Sequence, residues 1–307
     1  MLFIINLDYG VPVAGKSSQV PQFLLEENIQ PIHCTQPRRF AVVAVAQMVA
    51  KSRNCEIGEE IGYHIGQSKV FSERSKIIFK TAGVLLEEMR DKGSNALNCK
   101  VLILDEVHER SVESDLVLVC VKQFLRKMKD LRVVLMSATA DTSRYREYFS
   151  DLGKDERINV LAIPSTGQHT IFQRKVLYLE QVTNLLGIES DDCSQTYCEG
   201  SSPDTAIADF KVHMHKLIHD LIIHIHKTES DIEKSILVFL PTYYLLEQQW
   251  FLLKPFSNCF KVHILHSSID IQQALKAMKI SKSHRKVRFS NSLLEGASCI
   301  FFNYNYC

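Results

Sequence analysis

Lys16 and Ser17 close a Gly-x-x-x-x-Gly-Lys-Ser stretch that starts at Gly10 and runs through Ala14 and Gly15. Residues of these types at this spacing can wrap a polyphosphate. Glycines let the backbone approach, an ammonium pairs with terminal phosphate oxygens, and a hydroxyl reaches a divalent cation. Ser18 follows in the same turn, and the helix opened by "KSSQVPQFLLE" offers its free amides to an anion. Further along, "VLILDEVHERS" sets Asp105 and Glu106 at the end of a buried apolar strand. Carboxylates there can face a phosphate loop across adjacent strands, one on the metal and one on the attacking water. The pair points to ATP with Mg²⁺, the metal held by Ser17 and Asp105, with Glu106 orienting or deprotonating water.

The loop itself departs from what a phosphate cradle favours. Val11, Pro12, Val13 and Ala14 fill its centre. Pro12 removes an amide donor, and Val13 puts a β-branched side chain where a glycine-like backbone suits better. Weakened nucleotide affinity is the expectation.

The elements that must carry these residues alternate. "LFIIN", "PIHCT", "SKIIFKT", "KVLIL" and "LRVVLMS" read as short buried strands. "SSQVPQFLLEEN", "RRFAVVAVAQMVAKS", "GVLLEEMRD" and "SDLVLVCVKQFLRKM" read as the helices between them. Continuous apolar strands separated by helices predict a parallel α/β sheet covered on both faces. Ligands of such sheets bind at the carboxyl ends of the strands.

Composition bounds the class. The 307 residues carry a net charge of +1, so an anionic partner must be held by local patches. No apolar run reaches the roughly 18–20 residues a membrane span needs, and "MLFIIN" lacks the basic flank and cleavage site of a signal peptide. Nine cysteines without a Cys-x-x-Cys pair read as reduced thiols of an intracellular, soluble protein, nuclear or cytoplasmic.

With these residues in place the chain resembles a DEAH-box (DExH) RNA helicase of superfamily 2. "DEVHERS" is similar to that family's second motif, with His108 in its fourth position. "TQPRR" at 35–39 resembles motif Ia, "TAGVLL" at 81–86 motif Ib, and "SAT" at 137–139 motif III. The resemblance implies a RecA-like domain over residues 1–175, a linker or insertion over 176–205, and an incomplete second RecA-like domain over 206–307. It implies that Arg38, Arg39, Thr81 and Gly83 grip single-stranded RNA, and that His108, Ser137 and Thr139 couple the nucleotide state to strand movement. Taken singly, each has an ordinary reading as an exposed basic pair, a helix cap or a strand-ending turn. Only their joint order favours function.

In the second half, "SILVFLPTYYLLEQQW" resembles the motif IV region, and His266 and Ser267 in "LHSSIDIQQALKAMK" would touch the nucleic-acid backbone. Neither an A-T-N-I-A-E motif V nor a Q-R-x-G-R-x-G-R motif VI follows. "KSHRKVR" near residue 285 is expected at a solvated strand edge. The break resembles a truncated or alternatively spliced product. An RNA-stimulated ATPase is therefore weighed against a nucleotide- or RNA-binding fragment without turnover, and a DNA translocase stays open because no motif reads the ribose 2′-hydroxyl.

"HMHKLIHDLIIHIHK" imitates a metal site. As a helix it makes an apolar stripe of Met214, Leu217, Leu221 and Ile225, with His215 and His219 one turn apart. His226 lies roughly 10 Å further along the axis, so a packed amphipathic helix is the favoured reading. Cys193 and Cys198 lack a second ligand pair. The chain also resembles plant helicases of this family that carry a CCCH zinc finger elsewhere.

Overall fold

The computed structural model describes residues 2–7, 15–128, 130–137, 142–152, 158–163, 175–188, 212–266, 269–291 and 299–303. The chain forms two compact units, Met1–Thr170 and Ile171–Cys307.

The first unit is built on strands β1 (Leu2–Leu7), β2 (Ile32–Gln36), β3 (Ile61–Ile65), β4 (Ser68–Val70), β5 (Ile77–Thr81), β6 (Val101–Leu104), β7 (Arg132–Ser137) and β8 (Ile158–Ile163). They make one sheet in the order β4-β3-β5-β2-β6-β7-β1-β8. All neighbours run parallel except β3 and β4, which form a hairpin. β2, β5 and β6 are buried at every position; β6 is accordingly an unbroken apolar run, whereas β2 and β5 also bury His33, Thr35, Gln36, Lys80 and Thr81.

The connections are helical. α1 (Lys16–Glu26) follows β1, α2 (Arg39–Ser52) follows β2, and α3 (Ala82–Lys92) follows β5. α4 (Val112–Lys127) follows β6 after a short 3-10 turn, and α5 (Thr142–Phe149) follows β7. Their starts have identifiable chemistry. Thr81 accepts from the Val84 amide at the head of α3, and Ser111 accepts from the Ser114 amide at the head of α4. α4 also carries Glu113 and Asp115 in its first turn and Arg126 and Lys127 in its last, matching the helix dipole. A core of Leu85, Leu97, Leu102, Val121, Val133, Leu135 and Phe149 locks α3, α4 and α5 onto the sheet.

The α/β fold expected from the sequence holds, with additions. β3, β4 and β8 were outside the expected strand list. "IGYHIGQSKV" contains two glycines and an irregular polar pattern, so it carries little periodic signal. Gly62 is nonetheless required there, because a Cβ would lie 2.3 Å from the Phe71 side chain and 2.8 Å from the Val70 carbonyl.

The second unit contains α6 (Leu179–Leu186), α7 (Val212–Thr228), β9 (Ser235–Phe239), α8 (Tyr243–Leu253), β10 (Phe260–Leu265), α9 (Ile271–Met278), β11 (Arg285–Ser290) and β12 (Cys299–Asn303). Its sheet runs β10-β11-β9-β12, parallel except for β12. Here one expectation is corrected. β11, which contains "RKVR", is an interior strand, with Arg285 0% and Lys286 4% exposed. Their charges are buried because backbone carbonyls receive them. Arg285 donates to Lys234 O at 2.9 Å and Glu229 O at 2.6 Å, and Lys286 donates to Ala277 O at 3.1 Å at the end of α9.

α7 packs as an amphipathic helix, although Leu217, Ile218 and Ile222 are the buried residues, so the stripe sits about one residue from its expected place. His215 Nδ1 lies 2.9 Å from Gln249 Nε2, and the His219 ring leans on Phe256 with centroids 5.5 Å apart. Among the described residues no group of three or more His, Cys, Asp or Glu side chains gathers as a metal site, and no helix is long and apolar enough to cross a membrane. Cys193 and Cys198 lie outside the described residues.

Candidate nucleotide site

Strand order brings the chemistry of the first unit together. β6, β7 and β1 are neighbours, and Asn6 of β1 is in register with Ser137 of β7. The helix that follows β1 therefore starts beside the carboxyl end of β7. Gly15 caps α1 in the left-handed region, at φ 65°, a conformation that favours glycine. Lys16 comes next, 7% exposed, and its Nζ donates to the Ser137 carbonyl at 3.1 Å. Burial lowers its pKa, while the charges of Glu106 and then Asp105 act in the opposite direction.

Asp105 is 4% exposed, and burial raises its pKa to about 6. The Ser17 hydroxyl donates to its carboxylate and the neighbouring charge of Lys16 also favours ionisation, whereas Glu106 opposes it. Gln36 Nε2 donates to Oδ2 at 2.6 Å, and the Glu106 amide donates to Oδ1 at 2.8 Å. A buried carboxylate with three donors and a nearby ammonium is a preorganised anion, ready to receive a cation. Lys16, Ser17, Asp105 and Glu106 thus form one constellation. Ser18 stands apart from it: its hydroxyl turns back to donate to Gly15 O at 3.0 Å.

Glu106 adopts φ 52°, and so does Arg110. These two left-handed non-glycine residues bracket the 3-10 turn Val107–Glu109. Such conformations cost about 1–3 kcal/mol each and persist only where the surroundings impose them. The restraints are visible. Val107 is 2% exposed in the core, Tyr145 Oη donates to its carbonyl at 2.9 Å, and Arg110 Nη2 meets Asp115 Oδ2 at 2.8 Å. His108 Nδ1 lies 3.4 Å from Glu106 Oε2.

The residues expected to hold RNA are spread along neighbouring strand ends. Arg38, 44% exposed at its side chain, forks onto Glu109 at 2.7 and 3.3 Å. Arg39 donates to Gln67 Oε1 at 2.7 Å. The Thr81 hydroxyl accepts from the Val84 amide at 3.4 Å, and at Gly83 a Cβ would stand in ordinary van der Waals contact with Glu113 Cγ, at 3.9 Å. His266, in the second unit, meets Tyr243 edge to face at 5.1 Å. Gly10, Ala14, Thr139 and Ser267 lie outside the described residues. A separate crevice lined by Phe3, Val20, Leu24, Arg132 and Val134 contains none of these site residues.

Two residues in these contacts were not singled out from the sequence. Gln36 sat within the quoted "TQPRR" but carries no charge to flag it. Glu109 is one acid in an acid-rich stretch. Both gain their partners from the adjacency of β2 and β6.

Residues 41–148 match the model of the DEAD/DEAH box helicase family. The chain is 67% identical over 296 residues to the DExH-box ATP-dependent RNA helicase DExH8 of Arabidopsis thaliana, covering 96% of this chain and 29% of that protein. It is 62% identical to zinc finger CCCH domain-containing protein 4 of Oryza sativa subsp. japonica, covering 96% and 30%. It is 30% identical to the ATP-dependent RNA helicase DHX29 of Mus musculus, covering 93% and 25%. The chain thus spans under a third of the length of these curated relatives.

Proposed function

We propose that this chain, whose residues 41–148 match the DEAD/DEAH box helicase family, binds ATP with Mg²⁺ and hydrolyses it in response to single-stranded RNA. The observation that supports this best is the meeting of Lys16, Ser17, Asp105 and Glu106 at the carboxyl ends of β6 and β7. The ammonium of Lys16, now satisfied by one carbonyl, is placed to exchange it for phosphate oxygens. The oxygen-only pair of Ser17 and Asp105 suits Mg²⁺, which takes one or two protein oxygens and completes its shell with phosphates and water. When bound, the ion would neutralise charge developing on the transferred phosphoryl group. Glu106, beside Asp105, accepts a proton from the attacking water or orients it. Arg38, Arg39, Thr81, Gly83, His266 and Ser267 are the residues for the RNA backbone, and Ser137, Thr139 and His108 couple the two sites. An intracellular location, nuclear or cytoplasmic, accompanies this reading.

A second reading is nucleotide and RNA binding without turnover. One assay set separates the two: binding of a fluorescent ATP analogue and phosphate release, each with and without an oligouridylate, for the wild type, Lys16→Ala and Glu106→Gln. Under the catalytic reading Lys16→Ala loses binding, whereas Glu106→Gln retains it and loses RNA-stimulated release. Binding with no release in any protein supports the second reading. Unaltered nucleotide affinity in Lys16→Ala overturns both.

A further inference from the structure

Arg38 and Glu109 sit at the carboxyl ends of adjacent strands, one just after β2 and the other just after β6. Their contact is two-pronged, Nη2 to Oε1 at 2.7 Å and Nε to Oε2 at 3.3 Å. A guanidinium fork takes a carboxylate and a phosphate in the same geometry, two oxygens on one centre against two parallel N–H bonds. The arginine is partly exposed, so an incoming phosphate can reach it. We propose that Glu109 is a positioning residue that holds Arg38 as a stand-in for an RNA phosphate, so that RNA arriving at Arg38 displaces Glu109 and shifts the turn carrying Glu106 and His108. This rests on the nucleotide and RNA reading given above.

The turn is suited to that role. Glu109 is its last residue, and Glu106 immediately precedes it. Both flanks are left-handed at non-glycine residues, so the conformation depends on its restraints. Val107 and its carbonyl are fixed in the core by packing and by Tyr145, and Arg110 is fixed to α4 through Asp115. The side chain of Glu109, by contrast, is tied to a residue on another loop, Arg38. Release of that tie removes a restraint three residues from Glu106 without unfolding the anchored part. The exchange is also energetically feasible: exposed ion pairs are weak, whereas a phosphate brings its own charge and releases counterions.

The test uses the whole chain, a fluorescein-labelled oligouridylate read by anisotropy, and a fluorescent ATP analogue. Glu109→Gln frees Arg38 and is expected to tighten RNA about two- to fivefold, the range of a weak exposed pair. Arg38→Ala weakens RNA, and in the Arg38→Ala background Glu109→Gln has no further effect. Nucleotide affinity of the wild type shifts when RNA is added, Glu109→Gln shows that shift without RNA, and Glu109→Asp restores the wild-type behaviour in both assays. Equal tightening by Glu109→Gln in both backgrounds is a bulk charge effect and overturns the proposal. Unchanged RNA affinity in Glu109→Gln overturns it as well. If neither the wild type nor any variant binds the oligonucleotide, the RNA reading fails and the proposal falls with it. Binding by the wild type with an additive double mutant sinks the proposal alone.

Discussion

Gln36 holds Asp105 across two neighbouring strands, its side-chain amide 2.6 Å from the carboxylate that burial has already pushed up to about 6. Asp105 is the only carboxylate residue that is buried among the described residues, so its donors decide how much of its charge the fold can tolerate. Replacing Gln36 by Leu keeps bulk and removes the donor. The pKa of Asp105 should rise further, since a hydrogen bond to the ionised form is lost. The folded state should lose about 1–3 kcal/mol at pH 8, the cost of an unpaired buried acceptor, read by urea denaturation. Nucleotide affinity should fall in parallel. Unchanged stability and affinity in Gln36→Leu would mean that the amide is replaceable by water.

The same carboxylate predicts a pH dependence. Its folded pKa, about 6, lies well above the ordinary aspartate value of 3.8, so the folded state holds the proton more tightly. Below about 4 both states are protonated and this contribution to stability is fully present. Between about 4 and 6 the unfolded state ionises first, and stability is lost as pH rises. Above 6 the loss is complete, on the order of 3 kcal/mol by linkage. In EDTA and without nucleotide, Asp105→Asn should therefore be more stable than wild type at pH 8, with little difference at pH 4. Denaturation midpoints at the two pH values check this. Equal wild-type and mutant stability at pH 8 would show that its donors already offset the burial of Asp105.

How legible was this site? The motif residues announced themselves, because a Gly-Lys-Ser before a helix and a pair of acids after an apolar strand are local patterns. β6 and β7 were equally plain, each an apolar run bounded by a change of pattern, while β2 and β5 showed as short stretches of strand-favouring residues between helical ones. The sequence could not supply partners created by strand order. Gln36 reaches Asp105, and Arg38 reaches Glu109, only because β2 lies beside β6. The basic run in β11 misled for the same reason. Lysine and arginine suggest water, yet the carbonyls that receive Arg285 and Lys286 arrive from Glu229 just past α7, the strand entry at Lys234 and the end of α9.

Thr81 provides a test that separates structure from RNA contact. Its hydroxyl accepts from the Val84 amide and so caps α3, leaving its own proton to donate elsewhere. Thr81→Val should cost about 1 kcal/mol through loss of the cap. Thr81→Ser should preserve stability. If the hydroxyl also serves the RNA backbone, Thr81→Ser keeps oligouridylate affinity while Thr81→Val loses more of it than Val84→Ala, a control matched for destabilisation. Equal loss in the two destabilised proteins would confine Thr81 to its cap.

Arg285 is the side chain on which the second unit depends most directly. It is fully buried, donates from Nη1 and Nη2 to two main-chain carbonyls and from Nε to His226 Nδ1 at 3.2 Å. That last bond requires an unprotonated Nδ1, in keeping with the lowered pKa of His226, which burial and then the arginine charge bring about. Arg285→Met preserves length but leaves three acceptors without their donor in a closed interior. The expected cost is about 3–5 kcal/mol, the range for breaking a buried charged network, and it should fall on unfolding of the second unit. Arg285→Lys, with one ammonium in place of a planar fork, should recover only part of it. Hydrogen exchange followed by mass spectrometry localises the effect: protection of β9 and β11 should drop while β2 and β6 keep theirs. Loss of protection spread evenly over both units, or no loss in Arg285→Met, would remove Arg285 from this role.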